Sequence, residues 1–426
     1  MSHIGYKQYY TYIKDKYTKA QDVYTRIFTN KDTEDDFLFA YECLNVYPTF
    51  PAPIVLNLKC ETDNFDIDGG SPFDLTKIKK NTELTNSKLK EFSTYNAKVV
   101  ELSGSEKIRR YFDYEIRDTL KQKHNINHVT NAWVKMYEIL IVYPSILKSK
   151  NNMSSVETMH VCEHPGKFIF AVKDYVNKKF EKKISHSFVF QSLNPTVSKH
   201  GFKLDPILRR DPTGKLDYGP NQTGDITDPK NIQHYISTYK SKNFDLITSD
   251  CGEDFSDDYT QQEIGLYKIY LGALVTALGL SSKGTNYVFK LFTFSHIKTI
   301  ELLYIVSIYY EKVDLVRPMT TKGNSSEIYC VCQNFKDNLS PEMSTKLLSY
   351  LKGESSALIS TFHPTFIDRV NKYHELLMIR RVIATNQLIF RMNNYEYATN
   401  NSAIRDKIKL YVDYYTNYFI KYIGFN

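Results

Sequence analysis

The stretch Tyr287-Val288-Phe289-Lys290-Leu291-Phe292 has the pattern of a buried strand, and it carries one lysine near its end. After a helical segment, residues 313–318 have the composition of a second strand and residues 328–332 that of a third. Glu327 stands directly before the third strand. A lysine therefore lies near the end of one predicted strand, and a glutamate lies at the start of another strand that follows soon after.

Upstream segments extend this pattern into an alternation of strands and helices. Further strands are predicted at 156–162, 187–191 and 245–250, and a helix is predicted at 260–280. This alternation is typical of an α/β doubly wound sheet, in which ligands bind outside the carboxyl ends of parallel strands. We therefore expect Asp250 and Lys290 to face one crevice. If the last strand runs antiparallel, Glu327 joins them there.

The length of 426 residues predicts two or three structural units. Residues 1–122 form an N-terminal region without recognisable chemistry, and residues 123–340 contain the sheet. Residues 341–426 are predicted to form a C-terminal helical extension with many aromatic residues. A long polar insert separates the strands at 187–191 and 245–250, and a loop of that length inside a domain is usually functional or disordered.

Composition sets broad limits on function and location. The net charge of +7 weakly favours a polyanionic partner, and the excess of Tyr, Asn, Lys and Ile indicates a genome rich in A and T, such as that of a large DNA virus. The six cysteines show no disulfide framework, which predicts a reducing compartment, cytoplasmic or nuclear. No apolar run or signal peptide indicates a membrane. We predict no metal site, and the oligomeric state is not readable.

A turn after the first strand is a candidate site for a small charged ligand. Residues 162–168 leave an apolar strand, turn at Pro165-Gly166 and start a helix, which places free backbone N–H groups beside Glu163. An ordinary strand-to-helix turn explains the same residues equally well. Asp225, in the polar insert, is a candidate acceptor for an adenine amine, although alone it is better explained as a surface turn.

The charged residues of the predicted crevice also have simpler explanations. Asp250 can cap a helix, and Lys290 can form a structural ion pair with Asp250 or Glu327. Lys135 lies in a predicted amphipathic helix, where a lysine is normally solvated. A helix cap at Asp250 would not explain the lysine across the crevice.

Taken together, the segments from about 131 to 335 resemble the FtsJ-like (RrmJ-type) ribose 2′-O-methyltransferases, in particular the branch that methylates the first transcribed nucleotide of capped mRNA. The resemblance rests mainly on the strand with Lys290, Arg317-Pro318, Glu327 and the loop at 223–227. It implies a Rossmann-like methyltransferase sheet and S-adenosylmethionine as cofactor. It also implies a catalytic tetrad of Lys135, Asp250, Lys290 and Glu327.

The resemblance further implies that the cofactor is held by Asp225, by Asp250 and by the loop residues Cys162, Glu163, His164, Pro165, Gly166, Lys167 and Phe168. The family usually has Pro-Gly-Gly-Phe where this chain has Lys167 between Gly166 and Phe168. Lys290 is the implied general base. Burial and a neighbouring Lys135 would favour its neutral form, whereas Asp250 and Glu327 would act in the opposite direction and would orient the amine and the ribose hydroxyl.

The expected substrate is RNA, with capping or transcription proteins as further partners. Arg380, Arg381 and Arg391 are candidates for a basic track along the RNA phosphates. Two other functions stay open. The chain could methylate ribosomal or transfer RNA, or it could be a catalytically silent RNA-binding scaffold.

Overall fold

The computed structural model describes residues 7–15, 18, 53–59, 70–103, 115–147, 155–180, 184–197, 203–253, 255, 259–337, 339–354 and 358–425. One sheet of eight strands runs through this part of the chain: β1 (Ile54–Asn57), β2 (Ser155–Val161), β3 (Ser185–Phe190), β4 (Gly214–Leu216), β5 (Leu246–Ser249), β6 (Asn286–Phe292), β7 (Tyr310–Arg317) and β8 (Glu327–Phe335).

Helices cover both faces of the sheet, and the last four helices follow its last strand in the chain. They are α1 (Thr76–Ser103), α2 (Ile116–His124), α3 (Asn131–Val142), α4 (Lys167–Lys179), α5 (Pro206–Arg209), α6 (Pro229–Tyr239), α7 (Gln262–Gly265), α8 (Tyr267–Leu280), α9 (Ile297–Tyr309), α10 (Pro341–Leu351), α11 (Pro364–Asn393), α12 (Tyr395–Asn400) and α13 (Ser402–Tyr422).

The order of the strands creates a crevice at one edge of the sheet. The strands lie in the order β1-β7-β8-β6-β5-β2-β3-β4. From β2 the chain moves outward to β3 and β4, and it then returns to the other side of β2 to form β5 and β6, all parallel. The order therefore reverses between β2 and β5, which is where ligands bind in open α/β sheets.

The antiparallel direction of the last strand, β8, is confirmed. β8 is inserted between β6 and β7 and pairs antiparallel with both. The predicted doubly wound α/β sheet and the helical C-terminal region are also confirmed. The start of β8 consequently lies at the same edge as the ends of β5 and β6.

Alternation along the strands divides the core into two layers. Met159 and Val161 of β2 pack in one apolar cluster with α8, α9 and α11, whereas Val156 packs in the other with α3, α4 and the end of α13. Val288 of β6 belongs to the second cluster. Lys290 is two residues further along β6 and shares the face of Val288, so it points toward the layer that contains α3.

Three local features differ from the sequence prediction. The strand β1, from the N-terminal region, pairs antiparallel with β7 through Ile54 and Arg317, so the proposed unit 1–122 contributes to the sheet of the unit 123–340. The polar insert contains the helices α5 and α6 and the short strand β4, which extends the sheet beside β3. The helix predicted at 260–280 is interrupted at Leu266, between α7 and α8.

A row of buried histidines predicts acid sensitivity of the fold. Thr158 Oγ1 lies 2.8 Å from the Nε2 atoms of both His160 and His186, and His160 Nδ1 lies 2.7 Å from Thr248 Oγ1. Burial lowers the pKa of His160 well below its usual value, and burial, with a smaller effect of Lys173, lowers the pKa of His186 to about 3. Both side chains are therefore neutral in the folded protein at neutral pH.

We expect the free energy of unfolding to fall as the pH drops below about 6.5, the unfolded pKa of histidine, because the unfolded chain then binds protons that the folded chain does not. Each histidine contributes up to about 1.4 kcal/mol per pH unit. Urea unfolding between pH 7.5 and 5 measures this slope. The His186→Leu variant should have a shallower slope, and an unchanged slope would contradict the assignment.

Candidate active site

The four charged residues of the predicted tetrad lie together at the carboxyl edge of the sheet. Lys135 is in the first turns of α3, Asp250 follows β5, Lys290 is in β6 and Glu327 begins β8. In the pairing of β6 with β8, Glu327 lies opposite Phe292. Phe292 is two residues beyond Lys290 and lies on the same face of the sheet. The antiparallel direction of β8 therefore brings the carboxylate beside the lysine.

Lys135 is buried, although its position on a helix predicted a solvated side chain. Residues 133–140 of α3 are all buried, because the helix lies between the sheet and other helices. The helix begins at Thr130, whose Oγ1 accepts a hydrogen bond from the backbone N–H of Trp133. Only 9% of Lys135 is exposed. A lysine so deeply buried requires a carboxylate partner.

Two ion pairs account for the four charges. Lys135 Nζ donates to both carboxylate oxygens of Glu327, at 2.6 and 2.8 Å. Lys290 Nζ lies 2.7 Å from Asp250 Oδ1 and donates to the Asp250 carbonyl at 3.3 Å. The hydroxyl of Tyr329 donates to Glu327 Oε1 at 2.7 Å, a contact that the sequence did not predict. The structural ion pairs considered above thus exist, and they form a single charged cluster.

The electrostatics of the cluster hold Lys290 in its charged form. Burial alone would lower the pKa of Lys290, but Asp250 and Glu327 outweigh it and raise the pKa above its usual value. Of the opposing effects that the sequence predicted for Lys290, the two carboxylates therefore outweigh burial in this cluster. Burial also acts to raise the pKa of Glu327, yet Lys135 and Lys290 lower it overall. Burial raises the pKa of Asp250, which the neighbouring Lys290 only partly offsets.

The loop that follows β2 has the sharp turn expected of residues 162–168. Gly166 has a φ of +103°, and a Cβ atom there would overlap the side chain of Leu208. The preceding His164–Pro165 peptide bond is cis. Oε1 of Glu163 accepts the backbone N–H groups of Phe168 at 2.7 Å and Ile169 at 3.3 Å, and so caps the first turn of α4.

Lys167, which replaces the usual glycine, is directed toward another acidic residue. Its Nζ lies 3.1 Å from Asp205 Oδ2 and 5.1 Å from the centre of the Phe170 ring. Asp205 caps the short helix α5 by accepting a hydrogen bond from Ile207. The side chain of Lys167 is therefore fixed against the polar insert.

Gln191, at the end of β3, connects the two loops that were predicted to hold the cofactor. Its Oε1 accepts the backbone N–H of Cys162 at 3.1 Å, and its Nε2 donates to the carbonyl of Gly224. Asp225 follows directly, and its Oδ1 accepts the N–H and hydroxyl groups of Thr227, each at 2.8 Å. Nothing in the sequence indicated a role for Gln191 beyond its place at a strand end. Binding of adenine by Asp225 stays a prediction.

Cys162 and Cys251 form a disulfide bond, with their Cα atoms 5.0 Å apart. The cysteine spacing in the sequence did not predict this pair. The spacing of 89 residues hides the pair in the sequence, but β2 and β5 are neighbours and their ends meet at the crevice. The bond joins the loop after β2 to the residue next to Asp250. Cys330 and Cys332 are free and buried.

We expect a linked peptide containing Cys162 and Cys251 when protein purified without reductant is digested and analysed by mass spectrometry. The reason is the proximity of the two cysteines at the ends of adjacent strands. The Cys251→Ser variant should lack the linked peptide. Complete alkylation of both cysteines in the denatured, unreduced protein would contradict the pairing.

Residues 128–335 match the family model of FtsJ-like methyltransferases. This part of the chain is an FtsJ-like methyltransferase domain. The match begins just before α3 and ends with β8, so it contains the sheet strands β2–β8 and all four residues of the charged cluster.

Similar proteins occur in viruses and in animals. "Uncharacterized protein L511" of Acanthamoeba polyphaga mimivirus is 30% identical over 73% of this chain and 39% of its own length. "Cap-specific mRNA (nucleoside-2'-O-)-methyltransferase 2" of Drosophila melanogaster is 28% identical over 62% of this chain and 38% of its own length. "Probable methyltransferase EP424R" of African swine fever virus is 28% identical over 56% of each chain. The chain thus spans about two fifths of the first two relatives.

Among its described residues, the FtsJ-like chain has no helix with the length and apolarity needed to cross a membrane.

Proposed function

We propose that this chain transfers a methyl group from S-adenosylmethionine to the 2′ oxygen of a ribose in RNA, and that the ribose belongs to the first transcribed nucleotide of capped mRNA. The observation that supports this most strongly is the paired cluster Lys135–Glu327 and Lys290–Asp250 at the ligand-binding edge of an FtsJ-like domain. The relatives named as cap-specific mRNA methyltransferases favour capped mRNA over other RNA.

The crevice fits a cationic cofactor. Oε2 of Glu163 is buried and has no hydrogen-bond partner among the described residues. Burial, and then the nearby Asp250, raise the pKa of Glu163 well above its usual value. Because S-adenosylmethionine carries a sulfonium and an ammonium group, these carboxylates would gain a partner on its binding. Glu163, Asp250 and the backbone of 162–168 would hold it, with Asp225 at the adenine.

S-adenosylmethionine, when bound, supplies an electrophilic methyl group. Lys290 Nζ would accept the proton of the ribose 2′ hydroxyl, and for this it must first be neutral. The carboxylates of Asp250 and Glu327 keep Lys290 charged in the free protein. Positive charge that enters the crevice would lower the pKa of Lys290. The pair Lys135–Glu327 would then hold the ribose in place. Orientation of this kind contributes about 7–11 kcal/mol to catalysis in favourable cases.

The direct test is transfer of labelled methyl from S-adenosylmethionine to a short RNA with an N7-methylguanosine cap. An uncapped RNA of the same sequence, a ribosomal RNA fragment and a transfer RNA serve as comparisons. We expect label on the capped RNA alone, in the ribose of the first nucleotide. Label in the second nucleotide would correct the position, and equal label on all RNAs would contradict cap specificity. Cofactor binding with no transfer to any RNA would contradict catalysis and favour a scaffold.

We expect kcat/KM to rise with pH between 7 and 9 without reaching a plateau. This parameter reports the ionisation of the free enzyme, in which the carboxylates raise the pKa of Lys290 above its usual value. The neutral fraction of Lys290 therefore increases about tenfold per pH unit across this range. Initial rates with capped RNA and S-adenosylmethionine both well below their KM values measure the profile. A flat profile would contradict Lys290 as the base.

A further inference from the structure

We infer that Arg380 and Arg381, on α11, are positioning residues that hold the loop at 318–326 and thereby fix Glu327 and the ribose beside it. The inference rests on the proposed function and extends it to the C-terminal region. The loop connects β7 to β8 and lies at the edge of the sheet that carries the charged cluster. Its last residue, Ser326, directly precedes Glu327.

Guanidinium groups hold the carbonyls in the middle of the loop. Arg380 Nη1 donates to the carbonyl of Gly323 at 3.1 Å, and Arg381 Nε donates to that of Asn324 at 3.2 Å. Arg317, at the end of β7, donates to the carbonyls of Lys322 at 2.6 Å and Glu327 at 2.9 Å. Hydrogen bonds from a charged donor are about twice as strong as neutral ones.

The ends of the same loop are tied to the elements that carry the two lysines. The backbone N–H of Met319 donates to Glu138 Oε1 at 2.8 Å, and Glu138 lies one turn after Lys135 on α3. The backbone N–H of Thr293, just after β6, donates to the carbonyl of Ser326 at 3.1 Å. Movement of the loop would therefore alter the position of Glu327 relative to both lysines.

Arg380 cannot contribute to the solvent-facing track that the sequence suggested for Arg380, Arg381 and Arg391, and Arg381 is only partly exposed. Only 2% of Arg380 is exposed, and its Nε also donates to the hydroxyl of Tyr9 at 3.0 Å. Burial lowers the pKa of Arg381 to about 10. Each of the two arginines directs one donor at a loop carbonyl. Burying a cation is costly unless its hydrogen bonds are satisfied, and here loop carbonyls supply acceptors.

This arrangement gives α11 a role in the site, although the helix lies outside the family match at 128–335. The loop that it holds contains the exposed Lys322 and leads directly to Glu327. An RNA ribose placed at the charged cluster would lie against this loop. Loosening the loop should therefore slow methyl transfer without affecting the cofactor, whose proposed site lies at the ends of β2 and β5.

The test compares Arg381→Lys and Arg380→Lys with Arg405→Lys, a matched change at a side chain on α13 that is 53% exposed. Lysine keeps the charge but loses the planar fork of donors. We expect kcat on capped RNA to fall at least tenfold in the first two variants, with the Kd for S-adenosylmethionine changed less than twofold. Arg405→Lys should match the wild type.

Hydrogen exchange of the amides in 318–327 provides a readout that does not need activity. We expect faster exchange there in Arg381→Lys than in the wild type and in Arg405→Lys. Unchanged exchange and unchanged kcat would overturn the inference. A parallel loss of kcat, cofactor affinity and thermal stability would also overturn it, since that result indicates general damage to the fold. If wild-type protein methylates no RNA, the exchange result still decides the role of the arginines.

Discussion

Replacing Lys290 with alanine should lower kcat for methyl transfer to capped RNA by at least about 10²-fold, the usual contribution of a general base. The change removes the amine that lies 2.7 Å from Asp250 in the crevice. Lys290→Arg should fail as well, because a guanidinium does not lose a proton near neutral pH. The Kd for S-adenosylmethionine, measured by calorimetry, should remain within a few fold of the wild-type value.

Lys312→Ala is the matched control, because Lys312 is an exposed lysine on β7, which β8 separates from β6. Its activity should equal that of the wild type. If Lys290→Ala retains activity, Lys290 is not the general base. Loss of cofactor binding in that variant would instead indicate that Lys290 only maintains the shape of the crevice.

Replacing Lys135 with methionine should destabilise the protein by about 3–5 kcal/mol, the usual effect of removing one partner from a buried ion pair. The side chains of Lys135 and Glu327 are only 11% and 13% exposed, so the remaining carboxylate would be left buried without its cation. Urea unfolding at pH 7.5 measures the loss. Methyl transfer by this variant should also fall strongly.

The double variant Lys135→Met with Glu327→Gln separates stability from catalysis. It removes both charges, so most of the stability should return, while methyl transfer should remain low. Tyr329 can still donate to the glutamine side chain. Recovery of both stability and activity in the double variant would indicate that the pair is structural only.

The sequence predicted the central part of the fold because its signals were local. Buried strands such as β6 appear as short apolar runs, and a charge at a strand end marks the edge where ligands bind. The prediction that the last strand runs antiparallel also placed Glu327 correctly at this edge of the sheet. By contrast, β1 has four residues and pairs Ile54 with Arg317, and no local pattern indicates a partner so distant in the chain.

The parts of the site that the sequence did not predict depend on three-dimensional proximity. Cys162 and Cys251 meet only because β2 and β5 are neighbours. The pKa of Lys290 depends on a balance between burial and two carboxylates, and the sequence did not indicate which effect is larger. Arg381 lies on a long helix whose pattern resembles a solvated face, whereas its Nε contacts the loop before Glu327.

The measurement that tests the central claim most directly is a single turnover. The protein is mixed with labelled S-adenosylmethionine and capped RNA, and nuclease digestion then locates the label. The cluster of Lys135, Asp250, Lys290 and Glu327 predicts label on a ribose 2′ oxygen, in a nuclease-resistant product that contains the cap, and none with Lys290→Ala. Label on a base, or equal label with Lys290→Ala, would contradict ribose methylation by this cluster.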